Sequence, residues 1–247
     1  MKTHNQLKLH VLPQTPLLAA AVSRFCHPST NPKDRHDAIR ILTTLVVNAV
    51  NYPTRTEQIE RPDGVESLTQ LDTSRMVGIP VLRAGVAMAP AFKAAIPTAR
   101  VNLLGAKRSY ASDGATLAST YYDELDSSME GQSAYFLDTV LASGVSFGAA
   151  IDIARMRGCT DISVLTGLAA PEGVKYLNDL YPEAKIYAAS MAEGLNEHAY
   201  IFNPTPGDAG DRLFGASECW QNVVETYVQD SQLEHYRRES DISPDVG

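Results

Sequence analysis

Short apolar runs recur along this chain with helical patterns between them, and that alternation restricts the fold more than any other feature. The runs are Ser74 to Leu82, Ala99 to Leu104, Tyr135 to Leu137, Asp161 to Ala169 and Lys185 to Ser190. Their apolar residues are continuous rather than alternating. Strands of that kind are buried on both faces, as in a parallel sheet covered by its own crossover helices. The helical stretches between them are Arg35 to Val50 with Asp34 as cap, Val86 to Ala95, Phe147 to Arg157, and Pro171 to Leu180 with proline in its first turn. Such sheets bind ligands beyond the carboxyl ends of their strands. Arg83, Arg108 and Asp138 stand there and are the chemical candidates.

The stretch Tyr135 to Ser146 is the most informative of these ends. Three apolar residues run into Asp138, and the small and hydroxyl residues Ala142, Ser143, Gly144, Val145 and Ser146 lead to an alanine-rich helix. A loop built this way lets backbone N–H groups approach an anion while the helix N-terminus points its positive end at the same spot. Asp138 is placed to accept from sugar hydroxyls. Phosphate and ribose at one strand end suggest a phosphorylated sugar; a plain strand-to-helix turn with serine caps is the simpler alternative.

The remaining segments are less regular. Residues 1–33 read as an N-terminal arm with one apolar patch, and 52–70 as an irregular hairpin arm. Residues 109–132 read as a mobile loop or arm, and a loop this long inside a compact domain is usually functional or disordered. Glu193 to Trp220 is rich in Gly, Pro, Asn and Asp, Gln221 to Arg237 suggests a terminal helix, and Ser240 to Gly247 a tail. Length and hydrophobic content suit one domain over residues 1–247. A formal net charge of −8 argues against broad nucleic-acid binding. No apolar run reaches the ~18 residues of a membrane span. Cys26, Cys159 and Cys219 have no metal-ligand spacing, which fits a reducing, cytoplasmic setting. No Walker-type Gly-Lys-Ser/Thr sequence supports a P-loop nucleotidase.

Five motifs in register resemble the uracil phosphoribosyltransferase family over roughly residues 8 to 217: Val81 to Gly85, Leu137 to Ser146, Ala169 to Gly173, Leu195 to His198 and Gly207 to Gly215. The resemblance implies the type I phosphoribosyltransferase fold: an α/β domain with a central, mostly parallel sheet, helices on both faces, and a base-binding hood over 192–217. It implies phosphoribosyl pyrophosphate (PRPP) and a pyrimidine base, uracil first, as substrates, with Mg²⁺ as helper and UMP and pyrophosphate as products. It further implies Arg83 and Arg108 on pyrophosphate, residues 142–146 on the 5′-phosphate, Asp138 on the ribose, and Asp208 beside the ribose and the Mg²⁺ hydration shell. Asp208 and Arg108 are then the catalytic pair, and Tyr200, Ile201 and Gly207 line the base pocket. A homodimer or larger homo-oligomer, a contact through the 52–70 arm and a purine-nucleotide effector such as GTP come from the same source. Asp211–Arg212 is expected as a structural ion pair or loop clamp, Asn196, Glu197 and His198 as a loop brace, and Tyr121 and Tyr122 as packing in an arm.

The chain departs from that family at four places. Its phosphate loop has Thr139, Val140, Ser143 and Val145 where Pro, Met, Thr and Gly are usual, and a β-branched Val145 is strained if the position needs positive φ. Its base loop, Phe202 to Pro206, is longer than usual and rich in proline. If that backbone reads the base, uracil is used poorly or another base is preferred. The stretch after Arg108 is longer and lacks the usual neighbouring acid, and residues 218–247 form a C-terminal extension. Two function classes follow: an active phosphoribosyltransferase, or a descendant that keeps the PRPP site for sensing or partner binding without turnover.

Overall fold

A computed structural model describes residues 8–110, 116–197 and 200–215, with the side chains of 106–119 outside that description. The first part of the chain forms β1 (Leu9–Val11), α1 (Pro16–Cys26), α2 (Pro32–Asn48), β2 (Thr54–Arg61), β3 (Gly64–Leu71) and β4 (Met76–Pro80). A 3-10 turn (Ala84–Met88) leads into α3 (Ala89–Ala95), then β5 (Arg100–Val101), β6 (Leu104–Tyr110), β7 (Thr116–Asp123) and β8 (Ser133–Leu141). The rest is α4 (Val145–Met156), β9 (Asp161–Ala169), α5 (Pro171–Leu180), β10 (Lys185–Met191), β11 (Gly194–Leu195), β12 (Ile201–Phe202) and α6 (Ala209–Phe214).

Six strands make the central sheet in the order β1-β10-β9-β8-β4-β5, and all five pairings are parallel. The continuous apolar runs are explained by burial on both faces. Along β8, Tyr135 and Leu137 join a core with α1, α2 and α3, while Ala134 and Phe136 join a second core with α4 and α5. The fold is the expected α/β arrangement with helices on both sides of a parallel sheet.

Four expectations change. Residues 9–11 and 16–26 are a strand and a helix, not an extended arm. Thr15 caps α1 by accepting from the Leu18 N–H at 3.3 Å, and Leu18, Ala21, Val22 and Phe25 give it a buried face. Asn31, not Asp34, caps α2, accepting from the Asp34 N–H at 2.9 Å. The hairpin expected at 52–70 is present as β2–β3, but it is regular rather than irregular, with an unbroken antiparallel register. Lys107 and Arg108 lie inside β6, which pairs antiparallel with β7, so part of the 109–132 loop is a second hairpin. The expected C-terminal helix at Gln221 to Arg237 lies outside the described residues.

Among the described residues Arg35 is the largest fully buried side chain, at 1% exposure. Its guanidinium donates to four main-chain carbonyls of the α1–α2 connection: Phe25, His27 at 2.6 Å, Pro28 at 3.3 Å and Thr30 at 3.0 Å. A rigid planar fork suits several carbonyls at once. Arg212 reaches the same Pro28 carbonyl at 3.1 Å and so ties α6 to this knot. Arg35→Leu strands these carbonyls, each unsatisfied one costing about 1–3 kcal/mol. The expected result is a loss of roughly 3 kcal/mol or more and a melting temperature lower by ~2–4 °C per kcal/mol, measured by thermal denaturation beside the parent protein.

Candidate functional site

The ends of β4 and β8 are brought together by backbone contact. The Val81 N–H donates to the Leu137 carbonyl at 2.9 Å. A Cβ on Gly85 would lie 2.2 Å from that same carbonyl oxygen, so only glycine lets the turn after β4 settle on β8. That approach brings Arg83 and Asp138 to one cleft.

The loop after β8 takes its shape from Gly144, which has φ of 83° and caps α4. Val145 is the first residue of α4 and adopts a helical conformation, so the strain expected of a β-branched residue there does not arise; the positive φ falls one residue earlier. A Cβ on Gly173 would lie 2.1 Å from the Ala142 carbonyl oxygen. The Ala-Ala-Pro-Glu-Gly motif therefore lets α5 pack directly beneath the loop. Glu172 of that motif accepts from the Leu195 N–H at 3.2 Å and so fixes β11 to α5.

Opposite the loop stands the β11–β12 hairpin. Asn196 clasps Tyr200 twice: its side-chain oxygen accepts from the Tyr200 N–H at 3.0 Å, and its own N–H donates to the Tyr200 carbonyl at 2.9 Å. Asn196 thus acts as the expected brace; His198 lies outside the described residues. The added residues after Phe202 fold back on Glu193. Its N–H meets the Phe202 and Asn203 carbonyls at 3.3 and 3.1 Å, and its carboxylate accepts from the Asn203 amide. Asn203 has φ of 43°, a conformation its short polar side chain tolerates.

These walls enclose a cleft of about 330 Å³. Arg83, Asp138, Ala142 and Ser146 line one side, and Tyr200, Ile201, Gly207 and Asp208 the other. Ser143, Gly144 and Val145 complete the loop behind Ala142. The cleft meets the base-side loop through Ile201 before it and Gly207 after it, rather than through Phe202 to Pro206 themselves. Arg108 lies on β6 opposite Ala118, with its side chain outside the described residues. The ion pair expected between Asp211 and Arg212 is different: Asp211 pairs with Arg83, and Arg212 turns to Pro28. Two residues gain a place that their sequence positions did not signal. Tyr121 covers Gly105 and donates to the Leu82 carbonyl at 3.3 Å, next to Arg83. Asp211 is the other.

A parallel α/β domain with this cleft has known relatives. The model of the family described as uracil phosphoribosyltransferase matches residues 11–216. The chain belongs to the uracil phosphoribosyltransferase family. A uracil phosphoribosyltransferase of Dictyoglomus thermophilum is 34% identical over 203 residues, covering 81% of this chain and 96% of that protein. One from Acinetobacter baylyi is 44% identical over 153 residues, covering 60% of this chain and 70% of that protein. The solved AQ2163 protein of Aquifex aeolicus superposes with a TM-score of 0.73 at 25% identity, over 85% of this chain and 99% of that one. Adenine phosphoribosyltransferase of Trypanosoma brucei, at TM-score 0.52 and 11% identity over 78% of this chain and 87% of that one, shares the fold. The fold is that of the type I phosphoribosyltransferases.

Within this phosphoribosyltransferase cleft, burial pushes the Asp138 carboxyl up from 3.8 to about 7. The Thr139 N–H, at 2.7 Å, opposes that shift and the Asp208 charge adds to it. Two carboxylates facing one cleft suit a divalent cation carried in by its ligand. Among the described residues no cluster of three or more His, Cys, Asp or Glu could hold a metal ion.

Folding takes up a proton at Asp138 between pH ~4 and ~7, because its folded value lies above its unfolded one. The stability this group contributes is therefore full at low pH and lost as pH rises through about 7. Asp138→Asn removes that dependence. The variant is expected to melt higher than the parent at pH 8 and to lose most of that advantage at pH 5, in melting curves recorded across this range.

Proposed function

We propose that this chain transfers the phosphoribosyl group of PRPP to uracil, giving UMP and pyrophosphate. The observation that carries the reading is one cleft that joins a half-buried carboxylate, a helix-capped phosphate-sized loop and a cationic turn on one side to a braced hairpin on the other. Membership of a family whose relatives bear this activity in their names supports it.

The residues divide the work as follows. The loop 142–146 and the N-terminus of α4 hold the 5′-phosphate by N–H donation. Asp138 accepts from the ribose hydroxyls. Arg83 and Arg108 meet pyrophosphate oxygens, for which a forked guanidinium is suited. Tyr200, Ile201 and Gly207 frame the flat base. The bond from the anomeric carbon to pyrophosphate breaks as the uracil nitrogen forms its own bond to that carbon and the nitrogen's proton is released. Positive charge gathers on the ribose and negative charge on the leaving group, so positioning and electrostatics dominate. Asp208 and Asp138 face the positive side. Mg²⁺ carried in with PRPP would supply charge neutralisation to the pyrophosphate, and Asp208 is the residue that would sit beside its hydration shell.

The expectation of poor uracil use depended on the longer loop reading the base directly. That loop folds back onto Glu193, leaving Ile201 and Gly207 to line the cleft, and the relatives named for uracil support uracil as the base. A homo-oligomer is supported by the β2–β3 hairpin, whose residues are nearly all exposed, Val65 at 68% among them. A purine-nucleotide effector rests on family resemblance alone.

A panel of free bases with PRPP and Mg²⁺, followed by pyrophosphate release, tests the assignment. Uracil is expected to release pyrophosphate with matching UMP. A protein whose melting temperature rises with PRPP but which releases none with any base would instead be a sensor. Arg83→Ala and Arg108→Ala should each lower kcat/KM for PRPP by about ten- to a hundredfold, with lysine restoring only part of it. Full activity in both alanine variants would remove the pyrophosphate assignment.

A further inference from the structure

The Arg83–Asp211 contact joins residues far apart in the chain, one in the turn after β4 and the other in the first turn of α6. Asp211 is held from behind, since its N–H donates to Asp208 Oδ1 at 2.9 Å. Its carboxylate is therefore presented from a pinned backbone. The guanidinium lies across the same turn: a Cβ on Gly210 would sit 3.6 Å from Arg83 Nη2 and 3.8 Å from Nε. The side chains of Arg83 and Asp211 are 38% and 41% exposed, so the pair adds little to stability. Its effect falls on where the guanidinium points. An arginine in a half-open cleft has many rotamers, and one carboxylate leaves most of its five N–H donors for other oxygens.

We propose that Asp211 is a positioning residue for the transfer reaction, holding the Arg83 guanidinium toward the pyrophosphate of PRPP. This rests on the reading of Arg83 given above. Asp211 touches neither substrate; it acts through Arg83. The first turn of α6 and its cap then serve both halves of the site, with Asp208 facing the ribose and Asp211 steering the cation on the leaving-group side.

The test is calorimetric titration of PRPP with Mg²⁺ together with steady-state kinetics on the full chain. Asp211→Ala should weaken PRPP binding about tenfold and raise its KM alike, since the guanidinium loses its orienting partner. KM for uracil and the melting temperature should stay close to the parent values. Asp211→Glu keeps the charge and should recover part of the loss, and Asp211→Asn less. In an Arg83→Ala background, Asp211→Ala should add nothing. Unchanged or tighter PRPP binding in Asp211→Ala overturns the proposal, tighter binding meaning that the carboxylate competes with the ligand. A parallel rise in both KM values with a drop in melting temperature also overturns it, as a general structural role. If Arg83→Ala alone leaves PRPP binding intact, the reading of Arg83 fails first and the proposal with it.

Discussion

The cleft depends on how closely two backbone segments approach the end of one strand. The turn carrying Arg83 settles on the Leu137 carbonyl because Gly85 has no side chain, and α5 reaches the Ala142 carbonyl because Gly173 has none. Steric exclusion at 2.1–2.2 Å is not negotiable on the scale of ordinary packing adjustments. Side chains can relax around a methyl group; a main-chain carbonyl such as that of Leu137, held in the parallel ladder, cannot. Polar chemistry is added to that frame afterwards. Arg83 stands near Asp138, and the loop before α4 is supported from below, because these two contacts set the distances.

The same frame sets the electrostatics. A carboxyl at the end of a central strand is surrounded by protein on most sides, and burial disfavours its charged form. Asp138 is thus disfavoured as an anion, and a hydrogen-bond donor brought to it would offset that cost. The site resembles a socket that is costly to leave charged and rewarding to fill, with stability traded for binding.

The sheet and its helices could be read from the sequence because continuous apolar runs bounded by helical periods leave few other folds. Pro171 to Leu180 and Asp161 to Ala169 coincide with α5 and β9, where proline and the run's own ends mark the limits. The N-terminal residues were misread as an arm because β1 is short and mostly exposed, and its signal is pairing with a distant strand rather than composition. Around the cleft, Asp138 and Arg83 could be found because motif and strand end coincide. The partner of Asp211 could not: adjacency suggested Arg212, whereas Arg83 lies 128 positions away and is brought in only by folding. Val145 was suspected because a glycine usually occupies its position, yet the turn places its positive φ on Gly144.

The edge strand has a consequence for how the protein is made. Leu9 pairs with Ile186 and Val11 with Ala188, so β1 joins the sheet through β10, a strand that follows it by more than 170 residues. A ribosome adding ~5–20 residues per second releases the N-terminus long before its partner exists. Until then β1 has no strand to pair with, while α1 can already pack its apolar face on α2, the next helix in the chain. Completion of the sheet is therefore a late event, and the long loop it closes favours slow assembly over a fast local collapse.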